Sequence, residues 1–356
     1  MTNSIVPPSE ILVSVVIPMY NTEKYVGACL TSILGQTFQN FEVIVVDDCS
    51  TDSSPEIVKS FIPKFGGRLK LYRMKKNSGP GGASNKGVAL STGKYIFVPD
   101  NDDLIVNVTL AELYNYAETF QVDAVFMDLG FRFINGDDKQ FPEPEDLQVR
   151  CWHAPPFVDK PTLESDDIGE RVKKFCSNGI GWTAWQKFVR RDFLIENKIT
   201  FPTIRTSQDI IWVMELIACA KKILTISNPY YIYRPNSNSL TRQKRTPEKA
   251  IHLFMDANVE GLKILDDFLS DKKFFQDNPE YRFMLLEFFE RINVKAASKS
   301  MLEVPMHEVY EILRPKFEEM FGDKGNLIAY ITASASIAKI GLMNTSQKIL
   351  ELENNK

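Results

Sequence analysis

The chain has 356 residues, a formal net charge of −4 and a pI of about 5.6, with 44% hydrophobic and 25% charged residues. This is the balance of a soluble globular protein, long enough for two domains or one large domain with an appendage. Its mild acidity leaves no electrostatic footprint for nucleic acid. Five widely spaced cysteines (Cys29, Cys49, Cys151, Cys176, Cys219) without a Cys-x-x-Cys argue against a disulfide framework or zinc site. Three unrelated histidines (His153, His252, His307) argue against a histidine metal centre or a Ser-His-Asp triad. The N-terminus lacks the basic start and apolar core of a signal peptide. Residues 327–343, interrupted by Thr332, Ser334, Ser336 and Lys339, fall short of a membrane span. A cytoplasmic location, with contact at the inner membrane face as an option, is the expectation.

In chain order, residues 11–17 read as a strand broken by Pro18. Asn21 then caps a helix with the stripe Tyr25, Val26, Cys29, Leu30, Ile33 and Leu34. Residues 43–46 are β-branched and run into Asp47 and Asp48. Ser54-Pro55 starts a second helix, residues 69–74 form a third strand, and residues 79–90 open another helix with glycines. Residues 95–98 form a fourth strand, followed by a helix through Leu110, Leu113, Tyr114 and Ala117 and a strand at 124–129. Such β and α alternation predicts a mainly parallel sheet, which binds ligands at the carboxyl ends of its strands. Residues 136–165, polar and rich in Pro, Asp and Glu, read as an excursion or loop. Globular texture resumes at Asn178, with a short helix at 192–198, an apolar helix at 209–220 and strands at 223–226 and 230–233. From about residue 246 only helical spacing is seen, dividing the chain into an α/β domain at 1–245 and an α-helical region at 246–356.

The strand at 95–98 stops in Asp100, Asn101, Asp102 and Asp103. Clustered carboxylates repel unless a cation, a hydrogen-bond network or water compensates. Hard oxygen ligands favour Mg2+ or Mn2+, with substrate phosphates filling open positions. An isolated Asp-x-Asp is more often a solvated turn. Here it has companions in order: residues 14–21 (SVVIPMYN), 46–52 (VDDCSTD), 77–87 (NSGPGGASNKG), 182–194 and then Gln208-Asp209 and 230–234 (YYIYR). Over residues 11–242 the set resembles the family 2 inverting glycosyltransferases.

The resemblance implies the GT-A fold, a Rossmann-like mixed α/β sheet, with a nucleotide-sugar donor, UDP-linked by expectation. It implies Mn2+ or Mg2+ as cofactor and a glycan or lipid-linked glycan as acceptor. Asp48 matches the acceptor of the uracil imide hydrogen bond, and Tyr20 the ring beside the base, against a helix-capping Asp and a core Tyr. Pro18, Asn21, Asn77, Gly79, Asn85, Lys86 and Asn101 fall within the donor-binding motifs. Asp102 matches the direct metal ligand, and Asp100 a ribose ligand or a metal ligand through water. Asp103 is a positioning group or a helix cap. Asp209 matches the general base that removes the acceptor hydroxyl's proton, against an ordinary first-turn helix residue.

Two departures stand out. Ser84 replaces a family Arg near the nucleotide, with Lys86, Arg73, Lys75 or Lys76 as substitutes. Gln208 replaces Glu, which lowers the pKa of Asp209 relative to a Glu-Asp pair. Gln208 and Trp182 are candidate acceptor contacts, and Trp182 and Trp185 are either a sugar platform or core. Arg234, Arg242, Lys244 and Arg245 form a basic run that closes over the diphosphate, faces anionic lipid or is solvated. The C-terminal helices cap the domain, form a homodimer, dock on a membrane or wall the acceptor site. A non-catalytic nucleotide-sugar-binding scaffold on the same fold is the alternative function.

Overall fold

The computed structural model describes residues 10–127, 131–133, 149–151, 161–234, 236 and 239–354, with side chains for 10–127, 161–234, 236 and 239–341. Contacts divide the chain into two units, residues 1–203 with 208–239 and residues 204–207 with 240–356.

In the first unit the elements run β1 (Val13–Met19), α1 (Val26–Leu34), β2 (Phe41–Asp47), α2 (Ser54–Phe61), β3 (Leu69–Arg73), α3 (Gly79–Leu90) and β4 (Tyr95–Phe97). Then follow β5 (Leu104–Ile105), α4 (Thr109–Phe120), β6 (Ala124–Met127), β7 (Phe131–Phe133), β8 (Val149–Cys151), β9 (Thr162–Leu163) and α5 (Ile168–Cys176). The unit ends with β10 (Lys187–Arg190), α6 (Arg191–Glu196), α7 (Gln208–Cys219), β11 (Ile223–Ile226) and β12 (Tyr231–Tyr233). Its main sheet has the order β3-β2-β1-β4-β10-β6-β11-β9, and a smaller one the order β5-β12-β7-β8. The order reverses at β1, where β2 and β4 flank it in parallel, so the crevice a ligand would use opens beside β1.

Alternation along β2 builds both faces. Val43 and Val45 join the cluster that holds Val26 and Leu30 of α1, Val58 of α2 and Leu113 of α4. Ile44 and Val46 point the other way, onto Ala83 of α3. α3 lies so close to β1 that a Cβ at Gly87 would come within 2.2 Å of Val16 Cγ1. Overpacking a core in this way typically costs about 1–3 kcal/mol. Gly87→Ala is therefore expected to lower the unfolding free energy by about 1–3 kcal/mol, read as a lower denaturant midpoint at an unchanged m-value.

The structure departs from the sequence reading at several points. β1 runs through Pro18, which pairs with Val46, because β4 borders β1 only at residues 13–15 and no ladder needs the missing N–H there. Asn21 does not cap α1. It has φ +50°, and its Oδ1 accepts the Thr51 N–H at 2.8 Å, tying the β1–α1 loop to the loop after β2. β10 is antiparallel to both β4 and β6, which gives the mixed sheet that the resemblance implies. Within the stretch read as a loop, β8 and β9 are strands; residues 134–148 and 152–160 lie outside the described residues, as do the last two residues of the strand expected at 124–129. α5 was not foreseen, although Asp167 accepts the Glu170 N–H at 2.9 Å, a cap that the Asp-x-x-Glu spacing signals.

The second unit is helical: α8 (Pro247–Ser270), α9 (Lys273–Asp277), α10 (Pro279–Leu302), α11 (Met306–Phe321) and α12 (Gly325–Asn354). α8 packs on α10 and α11, and α12 on α10 and α11, around Ile251, Met255, Val294, Met301, Leu313 and Ala333. Leu327, Tyr330 and Ile331 stand exposed on α12. Among the described residues, no helix is long and apolar enough to cross a membrane.

Candidate active site at the carboxyl edge of the sheet

Asp48 follows β2. Its Oδ1 accepts the Ser78 N–H at 2.8 Å, and its carbonyl accepts Asn77 Nδ2 at 3.0 Å, so the carboxyl is held at the start of α3. Gly79 supplies the left-handed turn there, with φ +72°. Burial raises the Asp48 pKa, opposed by the Ser78 and Gly79 N–H groups. Tyr20, past the end of β1, is 49% exposed, so its ring is not a core residue.

Asn101 Nδ2 donates to the Pro18 carbonyl at 2.5 Å, which pins the turn after β4 to the end of β1. In that turn, one carboxylate oxygen each from Asp100, Asp102 and Asp103 lies within 4.8 Å of the others. Asp103 is buried and accepts Tyr231 Oη at 2.8 Å and the Arg234 N–H at 2.6 Å. Tyr231 Oη also accepts the Asp100 N–H at 3.0 Å. Asp103 precedes a strand, not a helix, so it positions the turn and caps nothing. Asp102 Oδ2 accepts Asn236 Nδ2 at 2.9 Å. Burial, and then the charges of Asp102 and Asp209, push Asp100 up to about 8. Closely spaced oxygens that resist joint ionisation are a donor set suited to a hard divalent cation, whose charge would reverse that resistance.

Asp209 sits in the first turn of α7, whose residues 210–218 are buried. Its Oδ1 accepts the Ile210 N–H at 3.0 Å. Burial pushes its carboxyl up to about 6, opposed by the N–H groups of Ile210 and Asp209 and by the charge of Lys187. The charge of Asp209 adds to the upward push on Asp100. Neighbouring Gln208 has a buried Oε1 without a hydrogen-bond partner, and its Cγ lies 3.5 Å from a Cβ built on Gly81.

The remaining expected residues divide. Trp185 is core: it is buried and stacks on Tyr231 with ring centroids 4.2 Å apart, behind the acidic turn. Trp182 is half-buried. Asn85 does not offer its amide to a nucleotide. Its Nδ2 donates to the Phe201 carbonyl at 2.7 Å and its Oδ1 accepts the Phe201 N–H at 2.8 Å, lacing α3 to the segment that leads to α7. Lys86 lies over the Tyr72 ring at 4.6 Å, and Arg73 pairs with Asp47 at 2.7 Å. Ser84 itself is buried, and Lys75 and Lys76 are exposed.

Sequence reasoning missed Lys187. Because β10 is antiparallel, its first residue lies at the carboxyl edge of β4 and β6. Lys187 is buried, donates to the Thr183 carbonyl at 3.2 Å and lies over the Phe126 ring at 4.6 Å. A lysine opening a strand reads as solvated, and only the strand's direction reveals otherwise.

Residues 14–177 match the family described as Glycosyl transferase family 2. Glycosyltransferase GlyG of Streptococcus pneumoniae serotype 4 is 30% identical over 65% of this chain and 73% of its own length. Poly(ribitol-phosphate) beta-glucosyltransferase of Bacillus spizizenii is 31% identical over 62% of this chain, which spans only 32% of that protein's length. In fold, the chain is similar to S. aureus TarS 1-349 solved with UDP-GlcNAc, with TM-score 0.54, 22% identity and 92% of each chain covered. Sequence motifs, mixed sheet and acidic edge agree with these matches: the chain belongs to glycosyl transferase family 2.

Proposed function

We propose that the chain is a metal-dependent inverting glycosyltransferase, moving a sugar from a nucleotide donor, UDP-linked by the chemistry of Asp48, to a hydroxyl of a glycan or lipid-linked glycan. The observation that carries this reading is the cluster of Asp100, Asp102 and Asp103 on the sheet edge that also bears Asp48, with Asp209 at the start of α7, whose first residue Gln208 packs against Gly81 of α3.

Asp48 accepts the base N–H, while Tyr20 lies beside the ring and the Gly79 turn lets backbone approach the ribose and phosphates. Asp102 would hold the cation directly, and Asp100 would complete its shell or bind ribose. A Mn2+ or Mg2+ ion held there would supply positive charge against the departing nucleoside diphosphate. Asp209, ionised, accepts the acceptor hydroxyl's proton as that oxygen bonds to the anomeric carbon and the bond to the diphosphate breaks. A single displacement inverts the anomeric centre, through an oxocarbenium-like transition state. The unpartnered Gln208 Oε1 suits a second acceptor hydroxyl. Named for its polyol-phosphate acceptor, the Bacillus relative is in keeping with a hydroxyl-rich acceptor here.

A screen of nucleotide sugars for nucleotide release, with Mn2+, Mg2+ or EDTA, tests this. The expected result is slow metal-dependent release of UDP from one UDP-sugar without acceptor, accelerated by the right glycan. Metal-dependent donor binding with no release over a broad acceptor panel would favour the scaffold reading.

A further inference from the structure

Antiparallel pairing of β12 with β5 sets Tyr231 against Ile105 and Ile232 against Leu104, which carries Arg234 level with Asp102. There Arg234 joins three segments. Its backbone N–H donates to Asp103 Oδ1 at 2.6 Å, its Nε to the Asp102 carbonyl at 2.5 Å, and its Nη2 to the Tyr25 carbonyl at 3.1 Å. The guanidinium also lies over the Tyr25 ring, 5.3 Å from its centroid, at the start of α1. Arg234 is thus drawn into the acidic turn, in contrast to the lid or solvated loop its basic neighbours suggest. Nε and Nη2 are spent on carbonyl oxygens, not on the carboxylates that face a cation. Three carboxylates within 4.8 Å repel one another, and repulsion would spread a turn that nothing holds.

We propose that Arg234 is a positioning residue for the acidic turn: by tying the Asp102 carbonyl to the start of α1, it keeps the cluster in the spacing a divalent cation requires. The assignment rests on the reading of that turn as a cation site. It depends on the planar fork that reaches two carbonyls at once, which a lysine's single ammonium lacks.

The test is Mn2+ binding to the full chain without donor, read by electron paramagnetic resonance of free Mn2+. Wild type is compared with Arg234→Lys, Arg234→Met and Asp102→Ala, with UDP affinity in EDTA as the second readout. Groups that orient metal ligands typically contribute about 10–100-fold in affinity. Both Arg234 variants are expected to lose that much Mn2+ affinity, while UDP affinity in EDTA, set by Asp48, stays at the wild-type value. Wild-type Mn2+ affinity in Arg234→Lys overturns the proposal, because charge alone then suffices. Equal loss of metal-free UDP affinity overturns it as well, since the residue would then support the whole crevice. Should Arg234→Met not fold, Arg234→Lys decides. Unchanged Mn2+ affinity in Asp102→Ala, with loss in the Arg234 variants, removes the cation reading of the turn itself.

Discussion

Asp209→Asn is expected to lower turnover of sugar transfer by about 10²–10⁴-fold, the usual contribution of a positioned general base, with donor KM nearly unchanged. Asparagine keeps the shape of the side chain at the start of α7 but cannot take a proton. Burial holds the Asp209 carboxyl up to about 6, and the base works only when ionised. Wild-type turnover should therefore rise with pH to a plateau above about 6 and fall about tenfold per unit below it. In Asp209→Asn that acidic limb should vanish. Lys187 and the helix-start N–H groups favour the ionised form, and Gln208 adds no charge against it. Steady-state rates from pH 4.5 to 8.5 at saturating Mn2+ check this. A variant with near wild-type rates and an intact limb excludes Asp209 as the base.

Asp102→Ala is expected to abolish the dependence of UDP-sugar affinity on Mn2+ and to lower turnover by about 10²–10³-fold, in line with the several kcal/mol a Lewis acid supplies at a departing diphosphate. Asp102 lies at the centre of the acidic turn, between Asp100 and the anchored Asp103. Metal-free UDP affinity should be retained, because Asp48 is held by Asn77 and Ser78 on another loop. Isothermal titration of UDP with Mn2+ and with EDTA separates the two terms. Unchanged Mn2+-dependent affinity in the variant would remove the metal assignment.

What could be read from the sequence was whatever rests on local pattern. The apolar runs of β1, β2 and β4, and the carboxylates that follow β2 and β4, lie in contiguous residues, so the edge that bears the candidate site was visible. What failed rests on pairing between distant segments. Pro18 stays in a strand because β4 borders β1 only briefly. Asn21 spends its side chain on Thr51, and Asn85 on Phe201, 116 positions away. Lys187 reaches the site through the antiparallel direction of β10, and Trp185 becomes core because β12 brings Tyr231 against it. Arg234 shows the same limit: in sequence it belongs to a basic run, and in the fold it belongs to the acidic turn.

The proposed transfer is a single displacement, with the acidic turn on the leaving group and Asp209 on the opposite, attacking side. It is tested most directly by the anomeric configuration of the product, read from the ¹H NMR coupling of the transferred sugar's anomeric proton. From an α-linked UDP-sugar of gluco or galacto configuration, formation of the β-linked product with Mn2+ is the predicted result. An α-linked product would mean retention and would contradict a mechanism in which Asp209 serves as the base of an inverting transfer.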